Sequence, residues 1–260
     1  MSRIAEAFAS KKAFIPFITC GYPDLDTTKK VVMEMEKNGA DLIELGIPFS
    51  DPTAEGPVIQ AANAAALKNG ITTDQVFDFV AEIRKDLHIP LVFMTYANVV
   101  FSYGMDRFMG KCAETGMDGL ILPDVPFEEK GEFKEAAGRF GVDLISLIAP
   151  TSENRIAMIA KEAAGFVYIV SSLGVTGVRS EISTDIGAIV RLIRENTAVP
   201  CAVGFGISTP EQAARMADLS DGVIVGSAII KIIAKYGKDC VPYVGSYVKS
   251  MKTAVIKSDE

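Results

Sequence analysis

Eight short apolar runs, separated by segments with helical periodicity, are the feature that most constrains how this sequence can fold. Most of these runs are continuously hydrophobic rather than alternating, which is typical of parallel strands covered on both faces. We predict strands over residues 13–19, 41–46, 90–96, 118–123, 143–148, 165–170, 200–205 and 221–226. Strands that alternate with helices throughout a chain of 260 residues predict an α/β fold with a parallel sheet.

The main alternative to a closed barrel is an open, doubly wound sheet, which usually has fewer strands and a glycine-rich turn after the first one. Here the glycines cluster after the last strands, so we predict a (β/α)8 TIM barrel. We also predict a short N-terminal helix containing Ile4 and Phe8, and an extra helix from Val58 to Leu67 after strand two. Because no linker or low-complexity tract divides the chain, we expect a single barrel domain over residues 1–260.

Charge and cysteine content argue against several classes of protein. The net charge is −7 and no basic stripe is present, so we expect no nucleic-acid partner. The four cysteines lie far apart without a CxxC motif, which argues against a zinc site or a disulfide framework and favours the cytoplasm. We expect neither a signal peptide nor a membrane span, since the apolar runs are short and Pro16 interrupts the first of them.

A glutamate stands at the end of an apolar strand that we predict to be buried. Glu44 closes this run, DLIELG, and the active sites of barrels lie at the C-terminal ends of strands. One interpretation is an ordinary strand-end carboxylate that reaches water or caps the next helix. The other is a general acid and base whose pKa is raised by an apolar pocket.

The loop after this strand, residues 47–56, favours the second interpretation. It holds two more carboxylates, Asp51 and Glu55, among prolines that leave the backbone fewer conformations. Pro57 suits the first turn of the helix that follows. Two carboxylates around one pocket allow proton removal at one atom and proton delivery at another, so the loop supports a catalytic role for Glu44.

Three glycine-rich segments, 174–177, 204–208 and 225–228, each follow one of the last three strands. Glycine lets a backbone approach an anion closely, and helix N-termini offer free N–H groups. Ser208 and Ser227 are placed as N-caps or hydroxyl donors. Tight turns between strand and helix need glycine in any case, so each segment alone is weak evidence. Together, at adjacent strand ends of a barrel, they predict a phosphate site.

Four aromatic residues lie in or just beyond predicted strands. Most aromatic residues in such positions only fill the core. Collectively these four would form an apolar slot for a flat ring. They are Phe17, Tyr96, Tyr168 and Phe205.

Catalysis through histidine, a metal or a Schiff base is not expected. The sole histidine, His88, precedes Ile89 and Pro90, on the face of a barrel where residues serve stability. A Ser–His–Asp triad and a histidine metal site are therefore not expected. No lysine stands out inside a strand, which argues against an imine-forming aldolase.

Several longer motifs are specific to one family. The first is ELGIPFSDPTAEGPVIQ at 44–60, and the others are FIPFITCGYPD, TYANVVFSYG, LILPDVP, YIVSSLGVTGVR, VGFGIS and VGSAIIK. Through these motifs the sequence resembles the tryptophan synthase alpha subunit family over nearly the whole chain. The resemblance implies a barrel that cleaves indole-3-glycerol phosphate to indole and glyceraldehyde 3-phosphate, with no cofactor in this subunit. It also implies that indole passes to a beta subunit holding pyridoxal phosphate, within an α2β2 heterotetramer.

The resemblance further implies roles for individual residues. Glu44 matches the catalytic glutamate, which protonates the indole ring carbon and helps remove the proton of the glycerol hydroxyl. Glu55 stands where the family has an acid that polarises the indole N–H. Other positions match the aromatic pocket (Phe17, Tyr168, Phe205), the phosphate site (Gly177, Gly206, Gly226, Ser227), the closing loop (Thr176) and the surface facing the beta subunit (Pro48, Asp51).

Glu55 is a departure, because the family usually has aspartate at this position. Glutamate adds one methylene, a reach of at most about 1.5 Å, and positioning errors of that size cost about a hundredfold in rate. We favour a loop backbone that sits further back, because the surrounding prolines and Gly56 are kept. The alternative is a site that is slow on its own and depends on the partner to position the loop. Two other functions stay open: a weakly catalytic barrel that mainly activates a beta subunit allosterically, and another phosphosugar barrel enzyme.

Overall fold

Parallel strands form the centre of the molecule, in a computed structural model that describes residues 2–9, 12–170, 185–204 and 206–256. The strands are β1 (Ala13–Thr19), β2 (Ile43–Gly46), β3 (Leu91–Met94), β4 (Gly119–Ile121), β5 (Asp143–Leu144), β6 (Ser146–Ile148), β7 (Val167–Val170), β8 (Cys201–Gly204) and β9 (Gly222–Val225). Their order is β5-β4-β3-β2-β1-β9-β8-β7-β6, and every pair of neighbours is parallel.

The two ends of this strand order are joined through the chain itself, which closes the barrel. β5 pairs with β4 and β6 pairs with β7, while only Ile145 lies between β5 and β6. The N–H of Ile145 still donates to the carbonyl of Leu120 at 2.9 Å. The prediction of one continuous fifth strand over 143–148 is therefore wrong in detail, because the segment changes its pairing partner in the middle. The barrel itself and seven of its strands were predicted. In the described residues, each predicted strand end lies within two residues of the observed end.

Helices cover the outside of the barrel. They are α1 (Arg3–Ala7), α2 (Leu25–Lys37), α3 (Pro57–Lys68), α4 (Thr73–Ile83), α5 (Ala97–Tyr103), α6 (Met105–Thr115), α7 (Gly131–Arg139), α8 (Glu153–Lys161), α9 (Ile186–Asn196), α10 (Pro210–Leu219), α11 (Ser227–Tyr236) and α12 (Val241–Ile256). Short 3-10 turns occupy Phe127–Glu129 and Gly237–Asp239. The predicted N-terminal helix is confirmed as α1, and the predicted extra helix after strand two as α3. None of the helices in the described ranges has the length and hydropathy that crossing a bilayer requires.

A buried ion pair fastens the C-terminal helix to the N-terminal end of the barrel. The ammonium group of Lys252 on α12 contacts the Asp41 carboxylate, which also accepts the backbone N–H of Phe14 at 2.8 Å. Lys252 donates in addition to the carbonyl of Lys12 at 2.9 Å. A buried pair is tolerated when further hydrogen bonds satisfy both partners. These contacts stabilise the N-terminal end of the barrel. The candidate site lies at the other end, where the strands have their C-termini.

Candidate active site

Glu44 is the second residue of β2 and lies inside the barrel. It pairs in register with Phe17 on β1 and with Val92 on β3, so the side chains of these three residues share one face. Glu44 is 1% exposed, and its Oε2 has no hydrogen-bond partner in the described part of the chain. Burial raises the pKa of Glu44 to about 8, and the charge of Glu55 adds to the rise. A carboxyl group of this kind holds a proton at neutral pH and can release it.

Glu55 enters the same pocket from the loop after β2. Its side chain is 3% exposed, and Oε2 accepts a hydrogen bond from Asn63 Nδ2 at 2.6 Å. Burial raises the pKa of Glu55 to about 7, although the Asn63 hydrogen bond opposes the rise. Both predicted acids are thus buried, and the charge of Glu55 contributes to the raised pKa of Glu44.

The loop that carries Glu55 is held at several points. The backbone N–H of Ala54 donates to the Tyr96 hydroxyl at 3.2 Å, and Gln60 Nε2 donates to the Glu55 carbonyl at 2.7 Å. The ring of Phe49 stacks on that of Tyr96 with centroids 5.1 Å apart. Burial and the charge of Glu55 raise the pKa of Tyr96, so its hydroxyl keeps its proton at neutral pH. Tyr96 thus supports the loop, and its place in the aromatic slot stays a prediction.

The ring of Phe17 fits between two strand ends that lack side chains. A Cβ atom at Gly46 would lie 2.7 Å from Phe17 Cζ, and one at Gly226 would lie 3.1 Å from Phe17 Cδ1. Glycine at these two positions therefore makes room for the ring. This contact also brings Gly226, a predicted phosphate residue, next to the predicted aromatic pocket.

Tyr168 on β7 likewise lies against a strand position that lacks a side chain. A Cβ atom at Gly204 would lie 2.5 Å from the Tyr168 hydroxyl oxygen, so only glycine leaves space for this ring. Burial and the charge of Glu44 raise the pKa of Tyr168. Its hydroxyl therefore stays protonated on the side of the pocket where Glu44 lies.

Three of the four predicted phosphate residues, Gly206, Gly226 and Ser227, follow β8 and β9, which are neighbouring strands. Gly206 has a φ of +79°, a backbone conformation that favours glycine. Gly226 is the N-cap of α11 and Ser227 is its first residue. The helix N-terminus thus follows β9 directly and presents backbone N–H groups.

The predicted N-cap roles of Ser208 and Ser227 are wrong. Gly226 caps α11, and Thr209 caps α10 by accepting the backbone N–H of Gln212. The N–H of Ser208 instead donates to Gln212 Oε1 at 2.8 Å. Pro210 fills the first turn of α10, which places the cap on the residue directly before it.

Of the five remaining predicted site residues, the structure describes two. Thr176, Gly177 and Phe205 lie outside the described residues. Pro48 is buried, whereas Asp51 is exposed and accepts a hydrogen bond from Ser50 Oγ. In the described ranges no group of histidine, cysteine and acidic side chains could hold a metal ion.

Two buried hydroxyl groups and one residue near the acids were not predicted from the sequence. Among the described residues, three buried side-chain oxygens lack a hydrogen-bond partner: Thr19 Oγ1, Glu44 Oε2 and Thr95 Oγ1. Thr19 ends β1, Glu44 lies within β2, and Thr95 directly follows β3. An unpaired buried oxygen is costly for the fold. Asn63 was also missed; its only signal is an amide among the apolar residues of α3.

Comparison with known proteins agrees with this geometry. The family model described as tryptophan synthase alpha chain matches residues 5–255. The tryptophan synthase alpha chain of Lacticaseibacillus casei is 48% identical over 255 residues, which span 98% of this chain and 96% of that protein. That of Geobacter sp. (strain M21) is 46% identical over 264 residues, or 99% of each chain.

Solved structures give the same result. Tryptophan synthase subunit alpha from Legionella pneumophila str. Paris superposes with a TM-score of 0.88 at 36% identity, covering 98% of both chains. A chain of tryptophan synthase from Mycobacterium tuberculosis gives 0.88 at 32% identity, again covering 98% of both chains. A chain of the tryptophan synthase complex from Pyrococcus furiosus gives 0.85 at 34% identity, covering 93% of this chain and 98% of that one.

These matches confirm the predicted barrel and the resemblance drawn from the motifs. They also remove the alternative of another phosphosugar barrel enzyme, because the family match extends over nearly the whole chain. Alpha chains of this family cleave indole-3-glycerol phosphate without a cofactor of their own, and pyridoxal phosphate is in the beta subunit. This chain belongs to the tryptophan synthase alpha chain family.

Proposed function

We propose that Glu44 and Glu55 carry the retro-aldol cleavage of indole-3-glycerol phosphate in this chain. Protonated Glu44 delivers its proton to the ring carbon that bears the glycerol chain, and the ring becomes an electron-poor iminium. The glycerol hydroxyl then gives its proton back to Glu44, and its O–H electrons form the aldehyde carbonyl. The carbon–carbon bond breaks, and its electrons return to the ring. Indole and glyceraldehyde 3-phosphate leave, with Glu44 protonated as at the start.

The observation that carries this assignment is the burial of Glu44 with an unpaired oxygen and a raised pKa of about 8. A carboxyl group kept neutral at physiological pH is a proton donor of the right strength for this step. Phe17 and Tyr168 line the pocket near Glu44. Their apolar rings suit a flat indole and keep water from the reacting carbon.

Glu55 has the complementary role in this proposal. With a pKa of about 7, it is ionised in a large share of molecules at neutral pH. A carboxylate beside the indole N–H stabilises the positive charge that develops when the ring is protonated. The longer side chain remains compatible with this task because Asn63 fixes the carboxylate.

Phosphate binding is assigned to backbone amides rather than to cationic side chains. Gly206, Gly226 and Ser227 lie in the two loops after β8 and β9, and Gly226 and Ser227 begin α11. Glycine lets an anion approach the amides, and the helix N-terminus attracts negative charge. By resemblance we add Gly177 to this set, Thr176 to the closing loop and Phe205 to the indole pocket.

The partner in this proposal is a tryptophan synthase beta subunit, in an α2β2 heterotetramer. The match to the Pyrococcus furiosus tryptophan synthase complex supports a two-subunit assembly. Asp51 is exposed on the loop that carries Glu55, so it is available to a partner, and the buried Pro48 shapes the same loop. We place the complex in the cytoplasm as part of tryptophan biosynthesis, and we keep the single domain over residues 1–260 as a prediction.

A second candidate function rests on Glu55, since the family usually has aspartate there. In that case the chain would cleave its substrate weakly and serve mainly to activate the beta subunit allosterically. The deciding experiment measures indole release from indole-3-glycerol phosphate by the purified chain, with and without a beta subunit. Lyase turnover by the chain alone that a beta subunit increases supports the first function. Absent turnover in both samples, with activation of the beta subunit retained, supports the second.

A further inference from the structure

Helix α3 carries one buried amide on an otherwise apolar face. Asn63 is 2% exposed, while the other buried residues of the helix are Ile59, Ala62 and Ala66. A buried side-chain amide destabilises the fold unless its polar atoms are hydrogen-bonded. The amide of Asn63 donates to Glu55 Oε2 at 2.6 Å. The partner of this buried donor is therefore a side chain of the proposed catalytic pair.

The same helix also holds the main chain of Glu55. Gln60, three residues before Asn63, donates from Nε2 to the Glu55 carbonyl at 2.7 Å. On the other side, the preceding residue Ala54 donates its N–H to the Tyr96 hydroxyl at 3.2 Å. The backbone at Glu55 is thus fixed on both sides, and the hydrogen bond from Asn63 holds the carboxylate itself.

A glutamate needs such a contact more than an aspartate does. Its side chain has one more rotatable bond, so the carboxylate can occupy more positions around a fixed backbone. A charge-assisted hydrogen bond to one oxygen selects one of these positions. Because Asn63 engages Oε2, we assign Oε1 to the indole N–H.

Asn63 also influences the charge of Glu55. Its N–H group lowers the pKa of Glu55, against the effect of burial. The titratable groups that interact with Glu55 in this pocket are Glu44 from β2 and Tyr96 after β3. Neither is a cation, and among the described residues the Asn63 hydrogen bond favours the ionised form of Glu55.

We propose that Asn63 is a positioning residue for this reaction, which holds the carboxylate of Glu55 against the indole nitrogen and so lets glutamate serve where the family usually has aspartate. The inference rests on the role assigned to Glu55 under the proposed function. Asn63 itself touches no reacting atom in this account.

The test compares Asn63→Ala with a matched control, Asn38→Ala. Asn38 lies on the far end of α2 and likewise donates from Nδ2 to a glutamate, Glu34, at 2.8 Å. We expect Asn63→Ala to lower kcat for indole-3-glycerol phosphate cleavage by about ten- to a hundredfold with KM little changed. We also expect the acidic limb of its pH profile to move to higher pH. The control keeps both kcat and the profile of the wild-type chain.

A second variant and an NMR measurement keep the test decisive if the alanine substitution disturbs folding. Asn63→Leu fills a similar volume without a donor and should show the same loss of kcat. Carbon-13 NMR of labelled glutamate carboxyl groups, with Glu55 assigned through Glu55→Gln, should show its titration midpoint at higher pH in both Asn63 variants.

Unchanged kcat and an unchanged Glu55 titration in Asn63→Leu, while Glu55→Ala is inactive, overturn the positioning role alone. Wild-type turnover in Glu55→Ala overturns the proposed role of Glu55, and the positioning role with it.

Discussion

Glu44 and Glu55 are two buried carboxyl groups of one pocket, and the charge of Glu55 raises the pKa of Glu44. Like charges in a dry pocket do not ionise together easily, so one proton stays on the pair around neutral pH. Glu44 has the higher pKa, about 8 against about 7 for Glu55. The proton therefore resides mainly on Glu44, where the proposed mechanism needs a proton donor, and Glu55 is left charged.

The first prediction concerns the pH dependence of the lyase. The reaction needs Glu55 ionised and Glu44 protonated, so kcat/KM of the isolated chain should rise through about pH 7 and fall above about pH 8. Initial rates of indole release across this range measure the profile. Glu55→Gln should be much slower and lack the acidic limb. A profile that stays flat from the acidic to the basic side would contradict the assignment of roles.

The second prediction concerns stability and follows from the sign of the Glu44 pKa shift. The pKa rises from 4.5 to about 8 on folding, so the folded chain binds this proton more tightly than the unfolded chain. Its contribution is fully present below pH 4.5 and is lost as the pH rises through about 8. Glu44→Gln should therefore raise the free energy of unfolding above pH 8 by about 5 kcal/mol, with little difference near pH 4.

Urea unfolding of both proteins at several pH values measures this difference. The same pH dependence in the wild-type chain and in Glu44→Gln would show that Glu44 is not a buried titrating group.

The third prediction addresses the departure at Glu55. Glu55→Ala removes the charge near the indole nitrogen and should lower kcat by about a hundredfold or more. Glu55→Asp restores the acid that the family usually has and should keep most of the activity. Both variants are compared by indole release at saturating substrate. Full activity of Glu55→Ala would show that the position is neutral in this chain.

The fourth prediction tests the space beside Tyr168. Gly204→Ala places a Cβ atom 2.5 Å from the Tyr168 hydroxyl oxygen, so the ring must move. We expect a loss of about 1–3 kcal/mol in unfolding free energy and a higher KM for the substrate.

A matched control for Gly204→Ala is Gly138→Ala, in helix α7, where a Cβ atom would meet nothing within 4 Å. That substitution should stabilise the chain by about 0.5–1 kcal/mol and leave KM unchanged. Equal effects of the two substitutions would show that the contact with Tyr168 is unimportant.

Much of the fold follows from hydrophobic patterns, because parallel strands buried on both faces appear as continuous apolar runs. The exception, the change of partner at Ile145, has no signature in such a run, since periodicity does not encode which strand pairs with which. Helix α3 was predictable from its apolar residues and from Pro57.

The site, too, could be predicted from the sequence only in part. Glu44 stood out because a carboxylate stood near the end of an apolar strand, but both faces of that strand are otherwise apolar, so alternation alone does not say which face points into the barrel. Asn63 could not be found in this way, because nothing in the spacing of Glu55 and Asn63 reveals that they are hydrogen-bonded. For the N-cap of α10 the signal was available, since Pro210 marks the first turn and so points to Thr209.

The central claim is that Glu44 performs the proton transfers while other groups hold the substrate. It is tested most directly with Glu44→Gln, purified from a host without its own tryptophan synthase, by measuring indole release together with calorimetric binding of glycerol 3-phosphate. We expect indole release to be abolished, whereas glycerol 3-phosphate should still bind with similar affinity. Turnover of this variant at the wild-type rate would contradict this claim.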